Sequence, residues 1–124
     1  MYERILIISD LHIPYHHKDA FAFLTKIKEE YNPDFIVNIG DLLDFHAMSM
    51  HDHDPDLPSP GDELTQAKTY VRELEEIFPE VIEVESNHSS MVYRRALKSG
   101  MSRMFLRTYG EFLGTKKWTW QDDL

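Results

Sequence analysis

Short apolar runs that end in polar turns alternate along this chain with longer stretches whose apolar residues recur every three or four positions. Ile5-Leu6-Ile7-Ile8 is a continuous run that predicts a fully buried strand. From about Asp19 to Tyr31 the residues Ala20, Phe23, Leu24, Ile27 and Tyr31 fall at helical spacing, and Asn32-Pro33 ends the helix they predict. A second short run, Phe35 to Ile39, predicts another strand. Next comes a polar stretch from Phe45 to Gly61, rich in His, Asp and Pro and too long for a simple turn. Ser59 then reads as an N-cap, with Pro60 in the first turn and Asp62 able to reach back. Leu64, Ala67, Val71, Leu74 and Phe78 form the stripe of this helix, and Pro79 stops it. Val81 to Val84 predicts a third strand, whose alternating glutamates suggest a place nearer a sheet edge. A helix over Met91 to Lys98 closes at Gly100, a further helix is expected over Met101 to Leu113, and Lys116-Trp118-Trp120 begins another strand.

Strand, helix, strand in this order makes a right-handed βαβ unit. The fold class is therefore α/β, a mostly parallel sheet flanked by helices. No repeat, low-complexity tract or linker divides the chain, and 124 residues make one domain, 1–124.

Composition narrows the function classes. There is no cysteine, which excludes disulfides and thiolate metal sites. A net charge of −9 argues against broad electrostatic binding of nucleic acid and suits carboxylates gathered around cations. No apolar run is long enough for a membrane span, and Glu3-Arg4 before the first short run does not read as a signal peptide. The expected location is the cytoplasm, with no membrane partner.

Three successive strand-to-loop junctions carry Asp10-x-His12, Gly40-Asp41 with Asp44 nearby, and Asn87-His88. In a parallel sheet all three emerge at the same edge, where open α/β sheets place ligands. Carboxylate, imidazole and amide oxygen together form a donor set for a hard-to-borderline divalent cation. A carboxylate between two such clusters can bridge two cations, the arrangement used for in-line attack on phosphorus. A histidine just outside that set can steady or protonate the leaving oxygen.

The three blocks, in this order and with helices between them, resemble the calcineurin-like metallophosphoesterase family, and the match covers roughly the first ninety residues. The wording Glu85-Ser86-Asn87-His88, followed by Met91-Val92-Tyr93-Arg94, is most similar to phage-encoded and bacterial members. The resemblance implies half of that family's α/β sandwich. It implies that Asp10 and His12 bind a first metal, Asp41 bridges, Asn87 binds a second, and His88 is the catalytic histidine. Asp44 then lies behind the metals or anchors the loop. Two divalent ions are implied, Mn2+ first, with Fe, Zn, Ni or Mg as alternatives. The implied substrate is a phosphate ester: a nucleotide, a phosphoprotein or a nucleic acid.

The chain departs from the family pattern in three places. Ser86 stands where the family has glycine, and Ser89 where it has an acid, which is expected to leave His88 without an orienting partner. No histidine follows His88, whereas the family closes its site with later histidines. This makes the chain either a fragment of a longer enzyme or a naturally short derivative, with a partner or a further C-terminal segment supplying histidines. The competing reading is a non-catalytic binding module. His46, His51 and His53 read as a solvated loop or substrate lid before they read as ligands, and His16 and His17 as surface groups, His16 near enough to touch substrate. Arg94 and Arg95 read as exposed helix-face charges, and Trp118 and Trp120 as packing rather than a base-stacking platform.

Overall fold

The computed structural model describes residues 3–49 and 54–122. His51 and His53 lie outside the described residues. In chain order the elements are β1 (Ile5–Ile8), α1 (Ala20–Tyr31), β2 (Phe35–Asn38), α2 (Pro60–Ile77), β3 (Glu80–Val84), α3 (Met91–Lys98), α4 (Tyr109–Leu113) and β4 (Lys117–Gln121). Two single turns of 3-10 helix, His46–Met48 and Arg103–Phe105, sit between them.

The four strands are parallel and lie in chain order, β1-β2-β3-β4. Successive right-handed crossovers stepping in one direction put every helix on the same side of the sheet. The burial pattern agrees. Ile8, Ile36, Val81 and Trp118 point into a core shared with Leu24 of α1 and Ala67, Val71 and Leu74 of α2. On the opposite face Ile5 is 57 % exposed, Ile7 62 % and Phe35 45 %, with Ile39 just past β2 at 48 %. The α/β architecture is as expected from the sequence, but β1 is not the fully buried strand expected: the sheet is covered on one side, and Ile5 and Ile7 point away from the helices.

Helix α2 is built as its sequence dictates. Ser59 accepts a hydrogen bond from the Asp62 N–H at 3.3 Å, Pro60 opens the helix, and the apolar stripe is buried. The Trp118 indole N–H donates to the Phe78 carbonyl at 2.9 Å, tying the end of α2 to β4.

Three further expectations need correction. First, α1 is turned relative to the predicted stripe, with Phe23 61 % and Tyr31 52 % exposed. Its inner side runs through Phe21, Leu24 and Thr25 to Lys28, whose ammonium donates to the Ile77 carbonyl at 2.5 Å. A helix of this length can satisfy several rotations, and docking against α2 selects one. Second, β3 is an interior strand, paired with β2 and β4. Its glutamates do not mark a wet face: Glu83 is turned into the core at 1 % exposure. Third, the helix expected over Met101 to Leu113 is broken into a 3-10 turn and the short α4. Thr108 begins α4 with a reciprocal capping box to Glu111, and an N-cap cannot sit inside a continuing helix.

Candidate metal centre

The loops after β1 and β2 continue side by side beyond the strands themselves. Asp10 N–H donates to the Gly40 carbonyl at 3.0 Å, His12 N–H to the Asp41 carbonyl at 2.9 Å, and Ile13 N–H to the Leu42 carbonyl at 2.8 Å. Asp44 N–H returns the bond to the Ile13 carbonyl at 3.0 Å. Underneath, Ile13, Leu42 and Leu43 are at most 1 % exposed and anchor the paired loops. Leu42 and Leu43 are buried, while Asp41 and Asp44 on either side of them are only partly so.

The backbone is strained here. Asp10, His12 and Asp41 have φ of 56°, 52° and 53°, the left-handed region that side chains other than glycine adopt at a cost of roughly 1–2 kcal/mol each. The paired hydrogen bonds hold them in it. Gly40, at φ 142°, approaches the β3 loop closely: a Cβ there would stand 3.2 Å from Cβ of Ser86. Ser86 uses that proximity, its hydroxyl accepting the Asp41 N–H at 2.9 Å and lying 3.3 Å from the Ser89 hydroxyl.

These constraints converge on one cradle. The Nε2 of His12 lies 3.6 Å from Oδ1 of Asp10 and 3.9 Å from Oδ2 of Asp41. One donor atom from each of the three falls within 4.8 Å of the others. The Oδ1 of Asp41 is buried and accepts no hydrogen bond. A carboxylate oxygen left in that state is costly unless a cation completes it, so this donor set fits a divalent ion. The Asp10 carboxyl is held below its ordinary range, chiefly by a hydrogen bond with Ser9, with Asp41 and His12 adding to the effect.

A second cluster, His12, Asp44 and His88, also gathers within 4.8 Å, but its contacts are of a different kind. The Nδ1 of His12 lies 2.9 Å from Oδ1 of Asp44, and the Nδ1 of His88 lies 2.8 Å from the Asp44 backbone carbonyl. Carbonyl and carboxylate oxygens only accept, so both Nδ1 atoms carry hydrogen and donate. Each ring is left with Nε2 as its reactive nitrogen. In His12 that nitrogen faces the cradle. The two rings meet edge to face at 4.7 Å. Asp44 is thus a hub that orients two histidines, and the expected loss of orientation at His88 does not occur.

Asn87 is exposed in the turn after β3, next in sequence to Ser86, whose hydroxyl accepts from the Asp41 N–H. Its backbone carbonyl accepts from the Arg94 guanidinium, and the Arg94 Nε donates to the Ser90 hydroxyl at 3.2 Å. Arg94 and Arg95 are exposed as expected, yet both hold loop backbone. His16 joins neither cluster among the described residues. It stacks on Phe21 at 4.6 Å and meets Tyr70 edge-on at 4.5 Å, and burial pulls its imidazole down. His17 is a surface group that accepts from the Asp19 N–H. The Nε2 of His46 accepts from Asp54 N–H at 3.4 Å and joins neither cluster among the described residues. Trp118 packs in the core and Trp120 stacks on Tyr109 at 4.0 Å, as expected of packing residues.

Sequence reasoning passed over Glu63. It lies four residues before Ala67 on the stripe of α2 and is 1 % exposed. A carboxylate on the apolar face of a helix was the signal that could have found it.

A parallel α/β sheet with an Asp-His-Asp cradle and an oriented histidine pair at its carboxyl edge defines a metal-dependent hydrolase type of site. The family model for calcineurin-like phosphoesterases matches residues 3–118, and the chain belongs to that family. No curated protein matches it.

Proposed function

We propose that this chain is a metal-dependent phosphoesterase acting on phosphomonoesters or phosphodiesters, with Asp10, His12 and Asp41 as the first metal site, Asn87 toward a second, and His88 as the catalytic histidine. The observation that carries the reading is the Asp41 Oδ1 atom, buried, unpartnered and within one cradle with Asp10 and His12. Divalent ions held there, Mn2+ foremost, would supply Lewis acidity toward phosphoryl oxygen. The chain's own residues do the rest. Asp44 keeps the Nε2 of His12 turned to the cradle and holds the His88 ring by its Nδ1, leaving Nε2 as its working nitrogen. With Nδ1–H committed to a carbonyl, His88 donates a proton from Nε2 only as imidazolium, and the acceptor is the leaving oxygen as its bond to phosphorus breaks.

A second reading is favoured by the open sheet face of Ile5, Ile7, Phe35 and Ile39. An apolar surface of this kind suits a partner, or a continuation of the chain, that brings further histidines. The protein then acts as a binding module and is inactive alone. Hydrolysis of p-nitrophenyl phosphate and bis(p-nitrophenyl) phosphate with Mn2+, against EDTA, separates the two. Metal-dependent turnover is expected, and His88→Ala should lower it by about 10²–10⁴ with Mn2+ binding retained. Loss of Mn2+ together with activity would make His88 a ligand instead, and no turnover under any metal would favour the binding module.

A further inference from the structure

The turn that follows Asp44 is held at both ends by charged side chains from two different helices. It begins with Phe45 in the left-handed region, φ 49°, and runs through the single 3-10 turn His46–Met48. A turn this short leaves its first N–H groups and its last carbonyls without partners of its own. Glu63 of α2 meets the first end: its carboxylate accepts from the His46 N–H at 2.9 Å and the Ala47 N–H at 3.3 Å. Arg95 of α3 meets the last: one guanidinium nitrogen donates to the carbonyls of Met48 and Ser49, both at 3.2 Å. Anion at the N–H end and cation at the carbonyl end also match the dipole of the turn. Tyr15, beside the same carboxylate, has its hydroxyl pushed up to about 12, by burial first and then by Glu63.

We infer that Glu63 and Arg95 are positioning residues which clamp the 45–49 turn from α2 and α3 and, through Asp44, set the ring orientation of His12 and His88. The inference deepens the phosphoesterase reading above and rests on it for its consequences in turnover. Its physical content stands without that reading. Asp44 offers His88 a backbone carbonyl, whose direction is set by the peptide that leads into the clamped turn. It offers His12 a carboxylate 2.9 Å away, whose placement follows from the same backbone. Releasing either end of the turn lets that peptide rotate, and both rings lose a fixed acceptor together.

The test compares the full chain with Glu63→Gln, Arg95→Ala and Arg95→Lys, and with Lys117→Ala as a distant control. In metal-free protein the Nδ1–H resonances of His12 and His88 are followed by NMR. Arg95→Ala should speed exchange of both protons several-fold, Arg95→Lys should restore much of the protection, and Lys117→Ala should change neither. Mn2+ affinity measured by calorimetry should fall about tenfold in Glu63→Gln and Arg95→Ala, as for loss of a group that supports a metal ligand. Unaltered ring resonances in folded Arg95→Ala would overturn the inference, even if Glu63→Gln failed to fold. If the unmodified chain binds no Mn2+, the phosphoesterase reading falls and the resonances alone decide the clamp.

Discussion

Glu83 shows how one side chain can be both a cost and a constraint. It lies in a row with Asn38 and Trp120 across β2, β3 and β4, inside the core. Neither of its carboxylate oxygens has a partner, nor do the Asn38 amide nitrogen and the Trp120 indole nitrogen. Burial pushes its carboxyl up to about 8. The folded state therefore holds a proton there that the unfolded chain releases near pH 4.5, its ordinary value. With a raised folded value, the contribution to stability is whole below about 4.5 and is lost as pH rises through about 8. Glu83→Gln should flatten that fall and raise the denaturant midpoint at pH 8, with little change at pH 4.5. Equal pH dependence in both proteins would show that Glu83 is ionised within the fold. The alternating glutamates of this strand were legible in the sequence, but which of them face the core was not. Period-2 alternation names two faces without saying which is wet, and the helices packed on the Val81 and Trp118 side settled it.

At the scale of elements, the site is the product of loops that run on together after their strands have ended. The three junctions bearing Asp10-x-His12, Asp41 and Asn87-His88 were readable because strand ends in a parallel sheet must share an edge. The Asp44 hub was only half readable. Its carboxylate had a residue type to point to it, whereas the carbonyl that holds His88 belongs to the backbone and leaves no letter in the sequence. The rotation of α1 was hidden for a related reason, because apolar residues fall on both sides of that helix and its neighbour chooses between them. Gly40 and Ser86 bring two of these loops close together. Gly40→Ala should lower stability by about 1–3 kcal/mol, from the positive φ and from a Cβ 3.2 Å from that of Ser86. Combined with Ser86→Gly the loss should be less than the sum of the two single changes, since the steric part is shared. Strict additivity by chemical denaturation would mean that strain at Gly40 alone carries the cost.

Across the whole molecule, helices shield one face of the sheet and leave Ile5, Ile7, Phe35 and Ile39 substantially exposed on the other. Ile7→Lys should therefore alter the unfolding free energy by less than about 0.5 kcal/mol, since little burial is lost, while raising the concentration at which light scattering detects association. A large destabilisation would mean that this face is covered in solution. No helix among the described residues is long and apolar enough to cross a membrane. The same incompleteness bears on the metals. In the proposed arrangement the first position would have two carboxylates and an imidazole, Asp10, Asp41 and His12, whereas the second would have only the shared Asp41 and the exposed Asn87. Calorimetry and anomalous scattering should count about one tightly held Mn2+ per chain, with any second ion weak. Two full sites in this chain would require donors beyond these. The sequential strand order also sets a timetable. Each strand lies beside the one made just before it, so β1 and β2 can pair as soon as α1 has closed the connection between them. That single event brings Asp10, His12 and Asp41 together and leaves Asp44 within reach, while His88 lies 44 residues beyond Asp44 in the chain. A ribosome therefore delivers the parts of the metal cradle first and the histidine that would work beside it afterwards.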